Sequence, residues 1–341
     1  MLTPLSAPGA LEYEPQPFGR LQAREAVCAY YREHGAQLDP AQVCLTTSTS
    51  EAYTFLFRLL CNPGDEILIA TPSYPLFDYL ATLDDVRLVS YPLLYEHGWH
   101  IEPGAVQARI GPRTRAIALV HPNNPTGHFT SASERAELQA ICARHELALI
   151  VDEVFLDYPW GAAAARSFAQ GPHPVLTFAL TGMSKIAALP QMKLSWVAVC
   201  GPAALREEAR ARLEVIADTF LSVNAPVQYA LPGWLASCGT MQEQIRARVA
   251  QNLAALDRLL AGTAISRLAG EGGWYAVLRL PALEPDEAFA QALLESAGVL
   301  VHPGSAFGFP AKGWIMLSLL ADPETFSAAV NILADAVFSM S

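Results

Sequence analysis

No two of the six cysteines, at positions 28, 44, 61, 142, 200 and 238 of this 341-residue chain, form a CxxC pair. In a chain of this length such scatter excludes a dense disulfide framework. It reads as reduced, mostly buried thiols, which implies a cytoplasmic location. Charge is also scarce: Lys, Arg, Asp and Glu together make up 16%, and the net charge is −11. That balance excludes a nucleic-acid partner, whose phosphates require clustered Lys and Arg. No apolar run reaches the ~20 residues needed to span a bilayer, so no membrane association is expected. The start, Met1-Leu2-Thr3-Pro4, lacks a basic segment followed by an apolar one and reads as no signal peptide. There is no internal repeat, low-complexity tract or long flexible linker. His97 and His100 have no Cys or carboxylate at ligand spacing, so their stretch reads as a solvated loop and no metal is expected. Gly270-Glu271-Gly272-Gly273 precedes a strand rather than following one, the wrong context for a dinucleotide loop.

Apolar residues, by contrast, make up 52% of the chain. That excludes a disordered protein and suits one that buries surface in an obligate dimer. Short runs rich in β-branched and apolar residues recur at 43–47, 66–70, 86–91, 116–121, 147–151, 175–180 and 196–200. Several are almost continuously apolar, as strands buried on both faces are. Helical patterns at 51–61, 131–145 and 203–217 lie between them. Ser131 with Glu134 three residues on is a capping box for the second. The alternation predicts an α/β fold: a mainly parallel seven-stranded sheet with helices on both faces. A helix over 21–34, a long helix from about 241 and a strand over 274–280 remain at the flanks. The expected division is a large domain over 36–240, with 1–35 and 241–341 combining into a smaller α/β domain.

Five short segments each follow a predicted strand, and ligands in open α/β sheets bind at the carboxyl ends of strands. Ser48-Thr49-Ser50-Glu51-Ala52 opens a helix, either as an ordinary N-cap or as a phosphate cradle of hydroxyls and N–H groups. Thr71-Pro72-Ser73-Tyr74-Pro75 is a Pro-rich turn whose Tyr can lie on a flat ligand. His121-Pro122-Asn123-Asn124-Pro125-Thr126-Gly127 is a turn, or a mount for an Asn that donates to a ligand oxygen. Val151-Asp152-Glu153 puts a carboxylate after an apolar run, exposed in a loop or facing a positive partner in a cleft. Thr181-Gly182-Met183-Ser184-Lys185 ends in a lysine that alone would read as a surface residue.

In order and spacing, Tyr74, the Asn-Asn-Pro-Thr-Gly stretch, Asp152-Glu153 and Ser184-Lys185 resemble the class I/II aminotransferases. These are pyridoxal-phosphate (PLP) enzymes of fold type I, with aspartate aminotransferase as a well-known member. Glu12-Tyr13-Glu14-Pro15, Gly19, Arg24, Asn62-Pro63-Gly64-Asp65-Glu66 and Val301-His302-Pro303-Gly304-Ser305 extend the resemblance to nearly the whole chain. It implies that Lys185 carries PLP as a Schiff base and then serves as general base, which requires a depressed pKa. It implies that Asp152 pairs with the pyridine nitrogen. Asn124 would donate to the ring's phenolic oxygen, and Tyr74 would stack on the ring. Ser48, Thr49, Ser50, Ser184 and Lys193 are expected around the cofactor and its phosphate, with Tyr13 reaching that phosphate from the partner subunit of a homodimer.

The chain also departs from the family. Phe155 stands where a Tyr usually donates to the phenolic oxygen, and the loss of that donor is expected to raise the cofactor's pKa. Lys193 stands in place of a phosphate-binding Arg and loses its bidentate fork. Gly182 stands where many members have another phosphate-binding Ser. Met316 occupies the place of the Arg that clamps the substrate carboxylate, and no Arg follows Arg279, which becomes a candidate substitute. Twelve residues precede Tyr13, so the family's N-terminal arm over the active site is expected either to be mostly absent or to lie upstream of this sequence. The implied activity is PLP-dependent transfer of an amino group between an amino donor and a 2-oxo acid. A PLP-dependent lyase or decarboxylase, or a non-catalytic PLP-binding protein, are the alternatives; retention of both Lys185 and Asp152 favours chemistry.

Overall fold

A computed structural model of the chain describes residues 2–161, 166–281, 284–309 and 312–340. All seven expected strands form, and an eighth joins them. They are β1 (Val43–Thr46), β2 (Glu66–Thr71), β3 (Arg87–Tyr95), β4 (Trp99–Ile101), β5 (Thr114–Val120), β6 (Ala148–Asp152), β7 (Thr177–Gly182) and β8 (Ser195–Cys200). Their order across the sheet is β1-β8-β7-β6-β5-β2-β3-β4. Strands β3, β2, β5, β6 and β7 run parallel, whereas β8 is antiparallel to both β7 and β1. β4 corrects the sequence reading: the stretch holding His100 is not a solvated loop but pairs antiparallel with β3, Leu94 opposite His100. Three residues are too few for a periodicity to register.

The apolar strands are buried on both faces because alternate side chains enter different layers. Ile150, Phe178 and Val197 pack with Phe55 and Leu56 of the helix Thr49–Leu60 and with Leu213 of the helix Ala203–Phe220. On the other face, their neighbours Ala179, Trp196 and Ala198 meet the helices Leu21–Glu33 and Ala225–Ser237 through Val27, Tyr31, Leu231 and Trp234. Leu149 and Val151 meet Leu138 and Ile141 of the helix Ala132–His145. Ser131 and Glu134 form the expected capping box at its start.

A second sheet, order β11-β12-β10-β9, contains β9 (Ser266–Arg267), β10 (Tyr275–Arg279), β11 (His302–Pro303) and β12 (Trp314–Ser318). Leu278, Ile315 and Leu317 share a core with Val249 and Leu256 of the helix Gly239–Leu260 and with Phe326 and Leu333 of the C-terminal helix. The helix Leu21–Glu33 does not join this core. Its buried face (Ala23, Val27, Tyr30, Tyr31) is matched to the large sheet instead. No helix among the described residues is long and apolar enough to cross a membrane.

The two sheets meet where the glycine-rich run 270–273 docks on the loop 121–127. Glu271 N–H donates to the Gly127 carbonyl at 3.0 Å. A Cβ on Gly127, whose φ is +72°, would stand 2.6 Å from the Gly272 carbonyl oxygen. The glycines therefore serve a close backbone approach beside the site.

Candidate active site

The carboxyl ends of β1, β2, β5, β6 and β7 all open on one cavity of about 270 Å³, as parallel strands of an open sheet dictate. Ser48, Thr49, Ser50, Tyr74, Asn124, Asp152, Ser184 and Lys185 all line it. Because β8 runs the other way, its first residue, Ser195, also faces this end, and Tyr275 enters from β10.

Asp152 ends β6 and is 7% exposed. One carboxylate oxygen accepts the Val154 N–H at 3.1 Å and the other accepts the Tyr53 hydroxyl at 3.4 Å. Burial pushes its pKa up to about 6, against the pull of these donors and of the Lys185 charge. The alternation of the chain turns the next residue, Glu153, away from the cavity, where it accepts from the Ser167 hydroxyl at 2.7 Å and from Phe168 N–H.

Lys185 lies on the single helical turn Met183–Ile186 after β7. Its Nζ stands 5.1 Å from the centre of the Trp274 ring and 5.6 Å from that of Phe155. The Tyr158 hydroxyl donates to the Lys185 carbonyl at 2.6 Å and holds the turn. Burial lowers the ammonium's pKa, and the Asp152 charge partly offsets this. The aromatic surroundings thus favour a neutral amine while still tolerating a cation at the ring faces.

Asn123 and Asn124 divide their work. Asn123 Nδ2 donates to the Pro72 carbonyl at 3.0 Å, tying the loop 121–127 to the loop carrying Tyr74. Asn124 lines the cavity, and its buried Oδ1 has no hydrogen-bond partner. Ser48 caps the helix Thr49–Leu60, accepting from Glu51 N–H at 3.1 Å, so the ordinary N-cap reading and the cavity-lining one hold together. Behind it, Thr49 and Ser50 bring their hydroxyls to a helix N-terminus suited to an anion.

Some expected residues are not brought in. Lys193 is exposed in a left-handed turn (φ 52°) and does not line the cavity. Tyr13 is 88% exposed and outside it. Met316 is fully buried opposite Val277 and packs with Phe307 and Phe309, so apolar packing fills the place expected of an Arg. Arg279 is no substitute: it donates to the Lys312 carbonyl and stacks 4.5 Å over Trp314, at the other end of β10 from Tyr275.

The sequence reading missed Ser195, Tyr275 and Trp274. Nothing in their local sequence marks them, since each opens an apolar strand run and only strand pairing directs it inward. Burial raises the Tyr275 pKa, with Tyr74 adding to the effect.

Known proteins of one family resemble the chain over nearly its whole length. The family model described as aminotransferase class I and II matches residues 6–333. The alanine aminotransferase of Mycobacterium tuberculosis is 27% identical over 333 residues, covering 94% of this chain and 77% of that protein. The arginine–pyruvate transaminase AruH of Pseudomonas aeruginosa is 29% identical over 323 residues, covering 93% and 80%. Among solved structures, the alanine aminotransferase of Pyrococcus furiosus superposes with a TM-score of 0.90 at 25% identity, covering 97% of this chain and 85% of that one.

Proposed function

The chain belongs to the class I and II aminotransferase family, and from that membership we propose that it holds PLP in the cavity between the sheets, with Lys185 as the attachment point. It is an aminotransferase, moving an amino group between an amine and a 2-oxo acid. The residues fit the cofactor. A buried carboxylate at Asp152 suits a protonated ring nitrogen, the amide N–H of Asn124 at the cavity wall suits a ring oxygen, and the hydroxyls of Ser48, Thr49, Ser50 and Ser184 suit a phosphate. The observation that carries the reading is a desolvated lysine and a desolvated carboxylate lining one cavity beside a hydroxyl-lined helix N-terminus.

When bound, PLP supplies an aldehyde carbon for an amine and a ring that accepts electrons from the substrate's α-carbon. The chain does the rest. Lys185 Nζ, with its pKa lowered by burial, would take the proton from the α-carbon and deliver it to the carbon that the cofactor contributes. Asp152 would keep positive charge on the ring nitrogen. Tyr74, on the cavity wall, would cover the ring, and Phe155 and Trp274 beside Lys185 would keep water from the lysine. The proposed assembly is a cytoplasmic homodimer whose partner subunit contributes Tyr13. The 88% exposure of Tyr13 and the six free cysteines support this part.

Three relatives are named for alanine or pyruvate, which makes pyruvate the first acceptor to test. The test is spectroscopic. The protein mixed with PLP is expected to show the long-wavelength absorbance of amine-bound cofactor, Lys185→Ala is expected to lack it, and an amino donor is expected to convert it to the pyridoxamine form. Cofactor that binds through Lys185 but converts with no donor would overturn transamination for this chain.

A further inference from the structure

Gly182 has no room for a side chain. A Cβ built on it would stand 2.1 Å from Ser195 Oγ, 2.7 Å from Ser195 Cβ and 2.9 Å from the Leu194 carbonyl oxygen. The cause is strand register. Ser195 pairs with Gly182 of β7 on one side and with Thr46 of β1 on the other, so it stands between the strand leading to Lys185 and the strand leading to Ser48. Gly182 and Ser195 both line the cavity, and Ser195 is 2% exposed. A hydroxyl entering from position 195 therefore occupies the volume that a side chain at position 182 would need.

We propose that Ser195 is a phosphate-binding residue that supplies, from the antiparallel strand β8, the hydroxyl that Gly182 cannot carry. The proposal rests on the cofactor reading above and adds a residue to it. Its chemistry is that of a buried hydroxyl donating to an anionic oxygen, a hydrogen bond stronger than one between neutral groups. It makes positions 182 and 195 a coupled pair: one holds a glycine because the other holds a serine, and the two side chains cannot coexist without movement.

The test measures binding of PLP and of pyridoxal, which lacks the phosphate, to cofactor-free protein by absorbance titration. Ser195→Ala is expected to weaken PLP about tenfold or more and to leave pyridoxal unchanged. Gly182→Ser alone is expected to lower the melting temperature and weaken PLP through its clash. The double variant Gly182→Ser with Ser195→Gly is expected to recover PLP binding to within about threefold of the parent, the signature of two coupled positions. Ser195→Ala with unchanged PLP affinity, or with PLP and pyridoxal weakened alike, would overturn the assignment. A parent protein that binds neither compound would overturn the cofactor site itself, and the assignment with it.

Discussion

The cavity has two unlike walls. On the large-sheet side, five strand ends deliver an amine, a carboxylate, an amide and a row of hydroxyls. On the small-sheet side, β10 contributes Tyr275 to the lining, while Met316, Val277, Phe307 and Phe309 lie outside it and bury one another in an apolar cluster. The first wall is held by backbone register, so its polar groups keep their places as long as the strands pair. The second is held by side-chain packing, which tolerates exchanges among apolar residues when volume is conserved. The polar groups proposed to hold the cofactor thus sit where backbone register places them, and the departure at Met316 sits where side-chain packing decides.

The largest test of the first wall is Lys185→Ala, expected to lower turnover on the order of 10⁴-fold, read in single-turnover assays with added PLP. Asp152→Asn is expected to cost about 10³-fold with the cofactor still attached, since it removes charge at the ring nitrogen and not the amine. Met316→Arg probes the second wall. Placing a charge in a fully buried apolar cluster is expected to lower stability by about 3 kcal/mol without improving KM for carboxylate-bearing donors. A variant that keeps its melting temperature and gains affinity for such donors would show that the wall is open and the account of it wrong.

A pH scan sharpens the contact between the walls. His128 donates through Nε2 to Glu134 at 3.1 Å, and its Nδ1 approaches Glu271 at 3.4 Å, which links the large-sheet side to the glycine-rich run. Although burial opposes it, these partners raise the His128 pKa to about 8, and His128 with backbone N–H groups takes Glu134 down to about 2 despite its own burial. A raised histidine pKa stabilises the fold fully below about 6.5, and that contribution fades as pH rises through about 8. The melting temperature is therefore expected to fall between pH 6.5 and 9 by the equivalent of about 1–2 kcal/mol. Glu134→Gln is expected to flatten that slope. The smallest effect is Phe155→Tyr, which adds a donor beside Lys185 and is expected to lower the pKa read in the bound cofactor's absorbance; an unchanged titration would refute it.

Much of the first wall was legible in the sequence because each of its groups follows an apolar run that can only be a buried strand. Asp152, Lys185, Asn124 and Ser48 all follow that rule, and their runs became β6, β7, β5 and β1. Ser195 was not legible: it begins a strand, and it reaches the cavity only because β8 runs antiparallel between β7 and β1. Tyr275 and Trp274 escaped for the same reason, since nothing local says which end of β10 faces the large sheet. The helix 21–33 was found but its packing was not, because an amphipathic face does not name the surface it will cover. Met316 was visible as a departure, yet its apolar neighbours from residues 277, 307 and 309 meet it only in the folded chain.

The chain contains three lysines, at 185, 193 and 312, so the attachment point is open to one decisive measurement. Protein loaded with PLP is reduced with borohydride, digested, and the modified peptide identified by mass spectrometry. The account predicts the adduct on Lys185 alone. An adduct on Lys193 or Lys312, or none at all, would contradict it.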